Sequence, residues 1–147
     1  MIALLDYGAG NVRSVQKALT AAGGEVRLVS DPEAVRRADA VVLPGVGAFD
    51  DCVNAMQRQE LFGAAKDFIG TGKPFLGICV GMQSMMSHSE ENNGVDCLDI
   101  FTGNVQLFDD GLVDGRGEKL KVPHMPYLPK GQASLLRQSG ILLPELI

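Results

Sequence analysis

The chain has no run of four basic residues, and its 13 Lys and Arg are outnumbered by 18 Asp and Glu, leaving a formal net charge of −5. That sign argues against nucleic acid or an anionic membrane surface as a partner. No apolar stretch approaches a transmembrane span. The opening Met1-Ile2-Ala3-Leu4-Leu5 is too short for a signal peptide and has no basic flank. Cysteine is scarce: Cys52, Cys79 and Cys97 are odd in number and far apart, which suits a reducing cytoplasm better than a disulfide framework. No cysteine or histidine pair has zinc spacing, so neither a metal nor a cofactor is expected. What remains is 147 residues, 46% hydrophobic and 21% charged, enough for one domain with a buried core.

Apolar runs and helix caps alternate along this chain. Ile2 to Leu5 reads as a buried strand, and Asn11 caps a helix with Val12, Val15, Leu19 and Ala22 on one face, stopped by Gly23-Gly24. Glu25 to Val29 is a second strand. Asp31 then caps a short helix with Pro32 at its first position. Ala40-Val41-Val42-Leu43 is continuously apolar, as in a parallel strand covered on both faces. A helix is expected from about Asp50 to Ile69, a strand from Pro74 to Ile78, and a helix from there to about Ser87. Ile100 to Phe108 holds a strand interrupted at Gly103-Asn104. This order predicts an α/β fold: a doubly wound, mostly parallel sheet with helices on both faces.

The sharpest chemical signal is Gly77-Ile78-Cys79-Val80-Gly81 at the switch from strand to helix. G-x-C-x-G is the cysteine form of a nucleophile elbow, in which small flanking residues let strand and helix pack closely. The helix start behind the sulfur is expected to favour thiolate over thiol. A buried structural cysteine in a plain turn is the alternative. Ligands of open α/β sheets bind beyond the carboxyl ends of the strands. Two glycine-rich loops, Asp6 to Asn11 and Pro44 to Phe49, leave such ends and should meet the cysteine there. The second loop has no charged side chain before Asp50, so it offers backbone N–H groups, which with the N–H of Val80 would make an oxyanion hole. Glycine serving only for positive φ is the rival account. Gly8-Ala9-Gly10 with Asp31 approaches a dinucleotide fingerprint, but Arg13 stands where the third glycine belongs.

Four segments in order resemble the glutamine amidotransferase subunits of imidazole glycerol phosphate synthase, within the class I (triad) amidotransferases. They are Asp6-Tyr7-Gly8-Ala9-Gly10-Asn11, Pro44-Gly45-Val46-Gly47-Ala48-Phe49, Gly77-Ile78-Cys79-Val80-Gly81-Met82-Gln83 and Lys121-Val122-Pro123-His124-Met125. The resemblance covers Met1 to Met125. It implies that Cys79 attacks the side-chain amide of glutamine and that ammonia passes to a cyclase subunit in a heterodimer serving histidine biosynthesis. By the same resemblance Val46 and Val80 supply oxyanion N–H groups, Val46 after a peptide rearrangement. Gly47 and Gln83 hold the glutamine, and His124 and Met125 lie near the partner interface. A related cysteine-elbow hydrolase is disfavoured because Val80, not histidine, follows the cysteine.

The pattern stops after Met125. The family's catalytic His-x-Glu has no counterpart: the only histidines are His88 and His124, and there is no tryptophan where the family carries Gly-Trp-Asn. His88 is expected as a solvated residue at the end of the elbow helix. Residues 1–125 thus read as a partial amidotransferase domain with its C-terminal strands missing, and 126–147 as a divergent tail, as after a frameshift or truncation. Marginal stability is expected of such a chain alone. A non-catalytic, partner-binding remnant is the competing reading. Cys52 and Cys97 are read as packing or surface cysteines, and the acidic pairs Asp50-Asp51, Glu90-Glu91 and Asp109-Asp110 as helix-start or solvated charges.

Overall fold

Parallel pairing of short apolar runs builds the part of the molecule that carries the elbow. The computed structural model describes residues 1–107, 111, 115–118 and 127–131. Its first sheet comprises β1 (Ile2–Leu5), β2 (Val26–Val29), β3 (Ala40–Leu43) and β4 (Phe75–Gly77), in the order β2-β1-β3-β4 and parallel throughout. Helix α1 (Val12–Ala21) links β1 to β2, and α2 (Pro32–Arg37) links β2 to β3. Helices α3 (Phe49–Arg58) and α4 (Leu61–Gly70) link β3 to β4. The first connection steps one way along the sheet and the other two step the opposite way. Right-handed crossovers therefore put α1 on one face and the remaining helices on the other, where α2 packs on α4. The chain reverses direction between β1 and β3, so a crevice opens at their carboxyl ends.

The caps act as the sequence suggests. Asn11 Oδ1 accepts the Ser14 N–H, and Asp31 Oδ1 accepts the Glu33 N–H with Pro32 opening the helix. Asp31 is thereby engaged as a cap, and Arg13 is exposed on α1. The middle strands bury Ala3, Leu4, Leu5, Val41, Val42 and Leu43.

Three elements depart from expectation. The single helix from Asp50 to Ile69 is two helices, because Glu60 takes a left-handed conformation with φ 57°. The turn is tied to the first strand's loop by Gln59, whose Nε2 donates to the Tyr7 carbonyl at 3.1 Å. It redirects the chain so that Leu61, Ala64, Ala65 and Phe68 are buried. The elbow helix α5 spans only Val80–Gln83. Its continuation is captured by a second sheet: the Ser84 and Met85 carbonyls accept the N–H groups of Leu98, Ile100 and Phe101. His88 consequently stands in strand β5 (Met86–Ser89), beside Asp96, rather than at a helix end.

That second sheet has the order β6-β5-β7-β8, with β6 (Val95–Asp96), β7 (Phe101–Leu107) and β8 (Tyr127–Gly131). Strand β7 is continuous through Gly103-Asn104. The irregularity falls instead in its parallel pairing with β5, between Met86 and His88. Strand β8 pairs antiparallel with β7 at an edge, where Pro129 is tolerated opposite Val105. It gives regular structure to part of the segment read as a divergent tail.

Beneath α4, the Phe68 ring lies 6.5 Å from Phe75, and Lys73 Nζ sits 5.6 Å over it while donating to the Ala38 carbonyl. Phe68 is 1% exposed, so Phe68→Ala leaves a cavity between α4 and β4 and should lower unfolding stability by about 3–5 kcal/mol in urea titration.

Candidate active site

Cys79 occupies a conformation that L residues rarely adopt, φ 57° and ψ −120°. Such a geometry costs about 1–3 kcal/mol and persists only where its surroundings enforce it. The surroundings are visible. A Cβ on Gly77 would lie 2.6 Å from the Met82 Cα, and one on Gly81 would lie 2.0 Å from the Leu43 carbonyl oxygen. That oxygen already accepts the Ile78 N–H at 2.9 Å. The two glycines are therefore contact requirements, and the end of β3 clamps the elbow. Val80 opens α5, so its N–H is among those that a helix start leaves without an intrahelical acceptor. The Cys79 carbonyl accepts from Met82 and Gln83, closing the turn beneath the sulfur.

The two glycine-rich loops arrive at the same edge. Gly10 faces Pro44, a Cβ there lying 3.5 Å from the Pro44 Cβ. Gly45 lies so close to the elbow that a Cβ would come within 2.7 Å of the Gly81 nitrogen and 2.9 Å of the Val80 Cβ. Gly47 has φ 98° and open space beside it, which satisfies the plain turn account of that glycine. Val46 is 50% exposed on the loop, whereas Gln83 is 2% exposed within α5. The structure thus gathers Cys79, Val46, Gly47, Val80 and Gln83 at one sheet edge. His124 and Met125 lie outside the described residues.

Several participants were not legible as such in the sequence. The Tyr7 hydroxyl donates to the Pro44 carbonyl at 2.5 Å, bridging the β1 and β3 loops across the crevice. The Cys52 thiol donates to the Val46 carbonyl at 3.5 Å. Glu91, read as a solvated charge, accepts the Phe49 N–H at 3.2 Å and caps α3, whose own cap residue Ala48 makes no side-chain bond. Its neighbour Glu90 accepts from Gln106 Nε2. No local spacing signals bonds that join residues 37 and 42 positions apart.

Burial pushes the Cys97 thiol up to about 12, with Asp96 and Asp99 adding to the effect. Burial likewise raises Cys52, helped by Asp51 and Glu91, and holds the Tyr7 phenol above its ordinary range. All three keep their protons more firmly folded than unfolded. These three groups should therefore leave stability unchanged below pH 9.0, the ordinary thiol value, and lower it toward about 12 as the unfolded chain ionises first. Chemical denaturation across that range checks the sign. Iodoacetamide should modify the partly exposed Cys79 well before buried Cys52 and Cys97, as peptide mass mapping would show.

The elbow generates a paired prediction. Gly81→Ala must displace Leu43 and should cost on the order of 4 kcal/mol or abolish the cooperative transition. Cys79→Gly relieves the strained dihedrals and should raise stability by about 1 kcal/mol, read from the same melts.

Comparison with known proteins agrees with this geometry. The family described as "Glutamine amidotransferase class-I" matches residues 3–136. The chain is 49% identical over 125 residues to "Imidazole glycerol phosphate synthase subunit HisH" of Pseudomonas putida, covering 84% of this chain and 58% of that protein. It is 46% identical over 133 residues to the protein of the same name from Pseudomonas savastanoi, covering 90% and 62%. It therefore spans about three fifths of the length of these curated relatives. A solved structure described as a crystal structure of glutamine amidotransferase aligns with a TM-score of 0.62 at 18% identity, over 72% of this chain and 56% of that one. At that identity the likeness concerns the fold.

Proposed function

This chain belongs to the class-I glutamine amidotransferase family, and we propose that it carries the nucleophile and glutamine-binding side of the glutaminase site of an imidazole glycerol phosphate synthase. The observation that carries the reading is the strained Cys79 elbow with the Gly45 loop packed directly against it. In this reading the Cys79 thiolate attacks the side-chain amide carbon of glutamine. The resulting oxyanion accepts hydrogen bonds from the Val80 N–H and, once its peptide has rearranged, from the Val46 N–H. Ammonia leaves with a proton, and water hydrolyses the glutamyl thioester to glutamate. Gly47 and Gln83 hold the substrate, Gln83 from the turn of helix directly after the sulfur.

The ammonia is consumed by a cyclase subunit, the partner implied by relatives named as subunits of imidazole glycerol phosphate synthase. His124 and Met125 are assigned to that interface, and the working compartment is the cytoplasm. Among the described residues no helix is long and apolar enough to cross a membrane.

A second reading rests on the absence of His-x-Glu from these 147 residues. The nucleophile needs a proton acceptor, and the leaving ammonia needs a donor. His88 is engaged with Asp96 at 3.1 Å in the second sheet. A chain acting without such a pair would turn over on the order of 10²–10⁴-fold more slowly and serve as a scaffold that binds glutamine and partner.

Ammonia release from glutamine, measured with the cyclase subunit and its ligand present, separates the two. Release that vanishes in Cys79→Ala supports the catalytic reading. A folded chain that releases none supports the scaffold.

A further inference from the structure

The Pro44-Gly45-Val46-Gly47 loop is gripped at alternate carbonyls by two buried side chains. Tyr7 and Cys52 are each 2% exposed. The Tyr7 hydroxyl donates to Pro44 at 2.5 Å, and the Cys52 thiol donates to Val46 at 3.5 Å, within the reach of a sulfur donor. The two donors reach the loop from two elements, Tyr7 from the loop after β1 and Cys52 from α3. Cys52 is in turn fixed by the start of α3, where the Glu91 carboxylate holds the Phe49 N–H and the Ala48 carbonyl accepts the Cys52 N–H.

Peptide planarity gives this grip a consequence. A carbonyl and the N–H of the next residue lie in one rigid plane and point in opposite directions within it. Holding the Pro44 carbonyl sets the direction of the Gly45 N–H, and holding the Val46 carbonyl sets that of the Gly47 N–H. The Gly45–Val46 amide lies between two fixed planes. It has no room to slide toward the elbow, since Gly45 already abuts Gly81 and Val80.

We propose that Tyr7 and Cys52 are positioning residues: a paired brace on alternate carbonyls that sets the direction of the Gly45 and Gly47 N–H groups and so frames the Gly45–Val46 peptide, whose N–H turns toward the substrate carbonyl above Cys79. Their catalytic consequence rests on the function proposed above, whereas the brace itself does not. Packing alone does not call for these groups. Phenylalanine fills the Tyr7 site and alanine most of the Cys52 site, but neither donates to a carbonyl.

Two measurements on the full chain test this. The first is amide hydrogen exchange at Gly45 and Gly47 by NMR in the wild type, Tyr7→Phe, Cys52→Ala and Cys52→Ser. Exchange should rise about five- to tenfold at Gly45 in Tyr7→Phe and at Gly47 in Cys52→Ala, as one lost hydrogen bond frees the plane that carries each amide. Cys52→Ser retains a donor and should largely restore it. Unchanged exchange, or a rise shared by the whole chain, overturns the brace.

The second is Cys79 labelling by a diazoketone analogue of glutamine. In Cys52→Ala its maximal rate should fall about tenfold, roughly one hydrogen bond to the developing charge, with the half-saturating concentration and iodoacetamide labelling unchanged. An unlabelled wild type whose exchange responds as expected removes the function and leaves the brace. A labelled wild type indifferent to all three substitutions removes the brace and leaves the function.

Discussion

One steric constraint organises the sheet edge around Cys79: the elbow closes only if nothing projects from Gly81 toward the Leu43 carbonyl. A Cβ there would lie 2.0 Å from that oxygen. With glycine in place, the end of β3 holds the elbow through the Ile78 N–H, and Cys79 is forced to φ 57°. Cys79 is thereby held, partly exposed, at the sheet edge. The strain it carries is offset elsewhere, by a parallel sheet whose inner strands bury Ala3, Leu4, Leu5, Val41, Val42 and Leu43. The rest of the site assembles around this closure. Gly45 is pressed against Gly81, and the loop that follows β3 is positioned by the same contact.

Sheet order makes that contact possible. The chain moves outward from β1 to β2, returns across β1 to β3, and continues to β4. The reversal opens a crevice between β1 and β3, flanked by the two glycine-rich loops, and places β4's elbow next to it. Tyr7 crosses the crevice to Pro44, and Glu91 reaches from the second sheet to the start of α3. The second sheet therefore fixes the helix that follows the loop, although it contributes none of the residues gathered around Cys79.

Local signals made the first sheet readable. Ala40 to Leu43 reads as a covered parallel strand because it is apolar throughout, and Asn11 and Asp31 mark helix starts because their side chains accept nearby N–H groups. The elbow was legible because its glycines and cysteine lie within five residues. What was not legible depends on distant partners. The helix after Cys79 looks extendable in sequence, yet the Ser84 and Met85 carbonyls are claimed by residues 98 to 101. Nothing near Glu60 announces the left-handed turn that splits α3 from α4. Tyr7, Cys52 and Glu91 look like ordinary loop, packing and surface residues until the fold brings them against the backbone of residues 44 to 49.

Glutamine binding at this edge is the central claim, and it is separable from turnover. Titrating a 15N-labelled chain with L-glutamine, and in parallel with asparagine, tests it most directly. The account predicts saturable amide shifts confined to Val46, Gly47, Val80 and the Gln83 side chain, elicited by glutamine and not by the shorter amide. Shifts elsewhere, or none in a folded chain, would contradict it.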